Sequence, residues 1–350
     1  MRFFNQNIKV SDYDVGINSS CIIVAEIGPN HNGSFDLAIE MIKLAKKAGC
    51  DAVKFQYRNA DEEIFDKKSS SYYFSMSRYD FIKTVQEFTH EQHEKLRRLC
   101  KDLNLIYICS VMTDVLIDAV ASLKPDFIKI PSGEVNNPWL VEKAIKTNIP
   151  LVISSGMSNE EEINTTVSMV QELKQPNLIL LHCLSEYPTK LEDMNLRYLD
   201  KLQEKYGCLV GLSDHSKQIL PIASSVMFNS SMIEVHFTTD SQMEGPDHQV
   251  SLEYDELTKL VSMVRTLEKA KGHGVKMLGN NVKSMRSTFT NSLVASEDIV
   301  IGEIFSRNNL RLMKPGTGLG VEFISKVLGS KANKNIKKGQ LIQLNDLEKL

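Results

Sequence analysis

The 350-residue chain has no stretch of about 18 consecutive apolar residues, so no membrane-spanning helix is expected. Its opening, Met1–Tyr13, mixes charged and amide side chains and lacks the apolar core of a secretory signal. There is no CxxC pair. Cys21, Cys50, Cys100, Cys109, Cys183 and Cys208 lie far apart inside mostly apolar runs, which reads as reduced thiols in a cytoplasmic core. An excess of one charge is also missing. The net charge is -3 and the isoelectric point about 6.3, against a nucleic-acid binder or a protein that coats anionic membranes. A local basic pocket for a small anion stays open. No glycine-rich nucleotide loop follows the first strand-like run, which counts against a doubly wound open sheet.

What is present is a repeating theme over the first 270 residues. A short apolar run ends in a polar or glycine-containing cluster, and a helical pattern follows. Eight such runs occur: Cys21–Gly28, Ala52–Gln56, Ile106–Met112, Phe127–Gly133, Pro150–Gly156, Leu178–Leu184, Val210–Ser216 and Met232–Thr238. Continuous apolar character suits parallel strands covered on both faces. Between them, Ser34–Gly49, Asn159–Leu173 and Leu252–Lys271 carry amphipathic helical spacing. The pattern predicts an α/β fold, a (β/α)8 TIM barrel over residues 1–271. The serine- and tyrosine-rich Ile64–Tyr79 reads as a loop over the barrel mouth. Residues 272–290 read as a linker. In 291–350, Asp298-Ile299, Gly302-Glu303-Ile304-Phe305 and Asn308-Asn309-Leu310 match Asn335-Ile336, Gly339-Gln340-Leu341-Ile342 and Asn345-Asp346-Leu347. Two copies of one short unit predict a small, pseudo-symmetric, mostly β domain.

In a barrel of this kind the active site lies at the C-terminal strand ends. Those ends carry Glu26, Lys54, Gln56, Ser110, Lys129, Ser132, Glu134, Ser154, Ser185, Tyr187, Ser213, His215 and His236. A lysine amid strand residues is costly to bury without an anion. Lys54 and Lys129, near several serine hydroxyls, therefore point to a phosphate or carboxylate pocket, with a Schiff-base role as the alternative. His215 and His236 end adjacent strands and suit manganese, iron or zinc. His31 is a third candidate or a loop residue that bonds the backbone. His90 and His93 read as solvated, and His182 as core. Glu26 and Glu134 face the mouth, either paired with lysine or free for acid–base work. Asp247 lies in the turn after the last strand.

These segments resemble the sialic acid synthase family. Ala25-Glu26-Ile27-Gly28-Pro29-Asn30-His31-Asn32-Gly33 resembles its opening signature. Asp51-Ala52-Val53-Lys54-Phe55-Gln56, Lys129-Ile130-Pro131-Ser132-Gly133-Glu134, Ser154-Ser155-Gly156-Met157, Ser185-Glu186-Tyr187-Pro188-Thr189, Gly211-Leu212-Ser213-Asp214-His215-Ser216, His236-Phe237-Thr238 and Gly245-Pro246-Asp247-His248 follow in order. Lys314-Pro315-Gly316-Thr317-Gly318 resembles a segment of the family's antifreeze-like (SAF) domain.

The resemblance implies metal-dependent condensation of phosphoenolpyruvate with N-acetylmannosamine, giving a nine-carbon 2-keto acid and phosphate. The alternative acceptor is 2,4-diacetamido-2,4,6-trideoxymannose, giving legionaminic acid, with the pseudaminic acid branch ranked third. A non-catalytic sugar-binding protein on the same scaffold is the reading from another class. By resemblance, Lys54, Ser110, Lys129, Ser132, Ser154, Ser185 and Ser213 hold phosphoenolpyruvate. His215 and His236 hold the ion, typically Mn2+, with Mg2+ or Co2+ as alternatives. Glu26 and Glu134 are the acid–base candidates, and Gln56, Tyr187 and Asp247 position the sugar. The family also implies a domain-swapped homodimer, with Phe289 and Lys314 near the sugar. Lys314 stands where an arginine is usual, and Arg311 is nearby. The third run reads Cys109-Ser110-Val111-Met112 where the family commonly has a threonine, proline and aromatic, Ser185 stands where asparagine is common, and Glu234-Val235-His236 lacks a frequent lysine.

Overall fold

The computed structural model describes residues 3–69 and 76–348. An antiparallel hairpin, β1 (Asn7–Val10) and β2 (Tyr13–Gly16), comes first. Eight parallel strands then close a barrel: β3 (Ile22–Glu26), β4 (Ala52–Tyr57), β5 (Ile106–Val111), β6 (Phe127–Ile130), β7 (Leu151–Ser154), β8 (Leu178–Cys183), β9 (Leu209–Asp214) and β10 (Met232–His236). Each falls within or overlaps one of the eight expected runs. They read as unbroken apolar runs because each strand is buried on both faces, inward against the barrel axis and outward against helices.

The helices begin and end where the local chemistry directs. Phe35–Ala48 starts at Ser34, whose hydroxyl accepts from the Leu37 N–H, and stops at Gly49, whose φ of 93° disfavours a side chain. Glu160–Glu172 starts with a capping box from Asn159 and Glu162. Tyr254–Lys271 closes the set.

The hairpin was not foreseen. Ile8, Val10 and Val15 share one buried cluster with Ile22, Val24, Ala52, Ile106, Ile108, Phe127, Val152, Ile179, Leu181, Leu209 and Met232. Hydrogen bonds run from the hairpin region to residues just before β5, β6, β8 and β9: Tyr13 to Asn104, Ser11 to Asp126, Asn5 to Pro176 and Gln6 to Gly207. The N-terminal segment therefore plugs the N-terminal end of the barrel. At the other end, residues 70–75 of the expected mouth loop lie outside the described residues. Its flanks form short helices at Ala60–Glu63 and Arg78–Phe81.

Residues from His273 onward form a second compact unit. The segment read as a linker, residues 272–290, contains an exposed helix, Asn280–Phe289. Its apolar residues Val282, Met285 and Phe289 recur at helical spacing, which the glycines and lysines around them obscured. β11 (Ser292–Ala295) pairs antiparallel with β12 (Leu310–Met313). Leu293, Ile299, Phe305, Val327, Ile336 and Ile342 are among its core residues. The internal repeat is structural. Ile299 and Ile336 exchange reciprocal backbone hydrogen bonds of 2.8 Å. Glu303 accepts from the Val300 N–H as Gln340 does from Lys337. Asn309 accepts from Ser306 as Asp346 does from Gln343.

Candidate active site

Side chains along a strand alternate between faces, so residues two apart share one. Two residues beyond the apolar interior layer, the inward positions change character. Val24 is followed by Glu26, Ala52 by Lys54, Ile108 by Ser110, Phe127 by Lys129, Val152 by Ser154, Leu181 by Cys183 and Met232 by Glu234. On β9, Gly211 precedes Ser213. All eight are buried. Four of the next positions are Gln56, Ser185, His215 and His236, one tier nearer the mouth.

The lower polar tier is knit by charge. Glu234 accepts from Lys129 at 2.9 and 3.0 Å and from Ser213 at 3.0 Å, and pairs with Lys54 at 2.6 Å. Glu26 Oε1 accepts from Gln56 at 2.9 Å. Glu26 Oε2 makes no hydrogen bond among the described residues and faces the Lys54 ammonium at 3.5 Å. Burial pushes the Glu26 carboxyl up to about 7, against the pull of Lys54. Burial also draws Lys129 down to about 8, an effect that Glu234 only partly offsets. For Glu234 burial pushes upward, but the two ammonium groups outweigh it and hold the carboxyl well below its usual range. Two lysines thus share one firmly ionised carboxylate, beside a second carboxyl that exchanges its proton near neutrality.

In the upper tier the His215 and His236 rings are 5.3 Å apart. His215 Nδ1 lies 2.7 Å from the Leu184 carbonyl, which can only accept, so Nδ1 carries the proton. In the neutral ring Nε2 then accepts from the Tyr187 hydroxyl at 2.9 Å. His236 Nδ1 is buried, makes no hydrogen bond among the described residues and lies 3.5 Å from Asp247. Burial and the neighbouring His215 hold His236 well below its ordinary pKa, so it stays neutral. Burial lowers His215, but Cys183 and the Leu184 carbonyl outweigh it and leave that ring above its ordinary pKa, so an ion bound by both imidazoles, beside the Asp247 carboxyl, would take His215 in its deprotonated form. Among the described residues no group of three or more His, Cys, Asp or Glu is arranged to hold one. An ion on this pair would keep most of its positions for water and substrate.

The remaining expected residues divide. Ser154 Oγ is buried, with no hydrogen-bond partner among the described residues. Ser132 Oγ accepts from the Gly156 N–H at 3.2 Å, and a Cβ on Gly156 would meet Ser185, Cys183 and Ser132 within 2.9 Å. Only glycine leaves that cradle open. Glu134, half-buried, accepts from Asn137, and its carboxylate is not ion-paired with Lys54 or Lys129. Burial raises Asp247 to about 6. Phe289 and Lys314 belong to the second unit, where the ammonium lies 6.0 Å from the ring centre.

Three histidine readings are settled by contacts. His31 stacks on Phe88 at 4.1 Å and accepts from the Gly33 N–H, so it is a loop residue. His93 is corrected from solvated to core. It is fully buried against Tyr57, 3.0 Å from the Tyr107 hydroxyl, because the buried stripe of helix His90–Asp102 runs through 93, 96 and 100. His182 is core, bonded to the Met194 carbonyl. Glu234, Cys183 and Arg58 are site residues that the sequence reading passed over. The first two show up once the inward positions are counted in twos.

The sequence model of the NeuB family matches residues 41–276, and that of the SAF domain residues 290–348. The chain belongs to the NeuB family. It is 33% identical over 343 residues to the N,N'-diacetyllegionaminic acid synthase of Legionella pneumophila, covering 95% of this chain and 96% of that protein. It is 34% identical over 331 residues to the pseudaminic acid synthase of Campylobacter jejuni serotype O:2, with 93% and 96% covered. The crystal structure of N-acetylneuraminic acid (sialic acid) synthetase from Leptospira borgpetersenii, in complex with citrate, matches at a TM-score of 0.72 and 30% identity, covering 80% of this chain and 94% of that one. The relatives of this NeuB chain are sialic acid synthase-type enzymes. Among its described residues no helix is long and apolar enough to cross a membrane.

Proposed function

We propose that this NeuB chain condenses phosphoenolpyruvate with the open-chain form of an N-acylated amino sugar, releasing phosphate and a nine-carbon 2-keto acid. The observation that carries the proposal is the buried Lys54–Glu234–Lys129 cluster directly beneath the two histidines. Phosphoenolpyruvate brings a carboxylate and a phosphate, and two lysines with the hydroxyls of Ser110, Ser132, Ser154, Ser185 and Ser213 suit both. Carbon 3 attacks the sugar aldehyde, water adds at carbon 2, and the tetrahedral intermediate expels phosphate by C–O cleavage. Lys54 and Lys129 counter the charge of the phosphate as it leaves. Glu26, poised near neutrality, exchanges a proton with the new hydroxyl or the incoming water. Glu134 is the second proton-transfer candidate. Gln56, Tyr187 and Asp247 orient the sugar.

His215 and His236 would hold a divalent ion, most simply manganese, which when bound supplies Lewis acidity toward the aldehyde oxygen. N-acetylmannosamine is the first acceptor proposed. The 2,4-diacetamido-2,4,6-trideoxy sugar is the second reading, favoured by the likeness to a legionaminic acid synthase over 95% of the chain.

A domain-swapped homodimer fits the charge distribution. Residues 273–350 carry 12 lysines and arginines against 6 acidic residues, while residues 1–272 carry 29 against 38. The exposed stripe Leu278, Val282, Met285 and Phe289 offers an apolar face for a second copy. Phe289 and Lys314 would then reach the partner's sugar. Six free, buried cysteines suit the cytoplasm.

The test is phosphate release from phosphoenolpyruvate with Mn2+, with each sugar and with none, with and without chelator. Sugar-dependent, chelator-sensitive release is expected. No release from folded, metal-loaded protein with either sugar would sink the assignment.

A further inference from the structure

We infer that Arg58 is a positioning residue that fixes the Gln56 amide, and through it the acceptor sugar; the inference rests on the synthase reading above. Arg58 is the first residue past β4 and only 8% exposed. Glu63 grips it from one side. Arg58 Nε donates to both Glu63 oxygens at 3.1 and 2.8 Å, and Nη2 lies 2.6 Å from Oε2. Glu63 is itself held by the Asn59 N–H at 2.9 Å. That fork aims Nη1 at Gln56 Oε1, where it donates at 3.2 Å. Gln86 Nε2 donates to the same oxygen at 3.4 Å.

With its carbonyl oxygen met by two donors, the Gln56 amide has one orientation. Its nitrogen turns to Glu26 Oε1 at 2.9 Å. A flip would set NH2 against the guanidinium whatever the state of Glu26, and C=O against a carboxylate whenever Glu26 is ionised. Gln56 therefore presents to the mouth its second N–H and no free oxygen. It can serve an acceptor atom of the sugar, an N-acyl carbonyl or a hydroxyl oxygen. It cannot receive a sugar hydroxyl proton. Arg58 sets that polarity without needing to touch the substrate.

A double-mutant cycle tests this. Arg58→Met should raise the KM for the sugar about tenfold and change the KM for phosphoenolpyruvate less than about twofold. In a Gln56→Ala background, Arg58→Met should add less than about twofold to the sugar KM. Equal effects in the two backgrounds would overturn the inference, because Arg58 would then be acting independently of Gln56. Glu63→Gln loosens the fork while keeping the cation, and covers the case in which Arg58→Met fails to fold. It should raise the sugar KM alone, by about threefold. Should the unaltered enzyme turn over no sugar, the synthase reading falls and this one is read separately. In protein labelled with 15N-glutamine, the side-chain amide pair that disappears in Gln56→Ala should shift in Glu63→Gln. An unmoved pair would overturn the inference.

Discussion

Phe127 and Lys129 are two residues apart on β6, face the same way, and are 0% and 2% exposed. Phe127 belongs to the apolar layer that the N-terminal hairpin seals, and Lys129 to the polar tier above it. Burial stabilises the first by removing about 25 cal/mol per Å2 of apolar surface from water. Burial of the second is tolerated only because Glu234 meets it. One strand geometry thus produces a packed floor and, two residues later, an electrostatic site. The floor keeps water out from below, so the charges above it interact in a low dielectric. The lesson is that the charged tier depends on the apolar one, while the apolar one does not depend on it.

The comparison can be broken at its polar side first. Lys129→Met leaves Glu234 paired with Lys54 and should fold, but should lower kcat/KM for phosphoenolpyruvate by about 10³-fold. An effect under about tenfold in steady-state phosphate release would remove Lys129 from the phosphate site.

A smaller effect follows from Glu26. Its carboxyl titrates at about 7 in the fold, above the 4.5 of an ordinary glutamate. The folded state therefore holds its proton more tightly, and that stabilisation is complete below about pH 4.5 and lost as pH rises through about 7. In metal-free protein, Glu26→Gln should remove on the order of 2–3 kcal/mol of this loss. Urea midpoints of the two proteins at pH 5 and pH 7.5 measure it. Parallel pH dependence would contradict the assignment.

The smallest effect belongs to the floor. Phe127→Leu should lower stability by about 1 kcal/mol and leave kcat/KM within about twofold. A collapse of activity without loss of stability would mean that the two tiers are not separable.

The barrel was legible because strands buried on both faces read as unbroken apolar runs such as Leu178–Cys183. The lysines and histidines were legible because such groups at strand ends are out of place in an apolar core. Glu234 was not, because it stands inside β10, two positions before the strand end at His236, where a single strand does not mark which face is inward. Arg58 lies past the end of β4, where no periodicity marks direction. The hairpin escaped because Asn7–Val10 and Tyr13–Gly16 are only four residues each, too short to show alternation. His93 was misplaced because histidine is polar, while its helical position is set by Leu96 and Cys100 on the same face.

The central claim is that the lysine tier holds phosphoenolpyruvate for carbon–carbon bond formation with C–O cleavage. The most direct measurement uses phosphoenolpyruvate labelled with 18O at the oxygen bridging carbon and phosphorus, with Mn2+ and the preferred sugar. The account predicts that the label leaves in inorganic phosphate. Label retained in the keto acid, or release of phosphate that ignores the sugar, would contradict it.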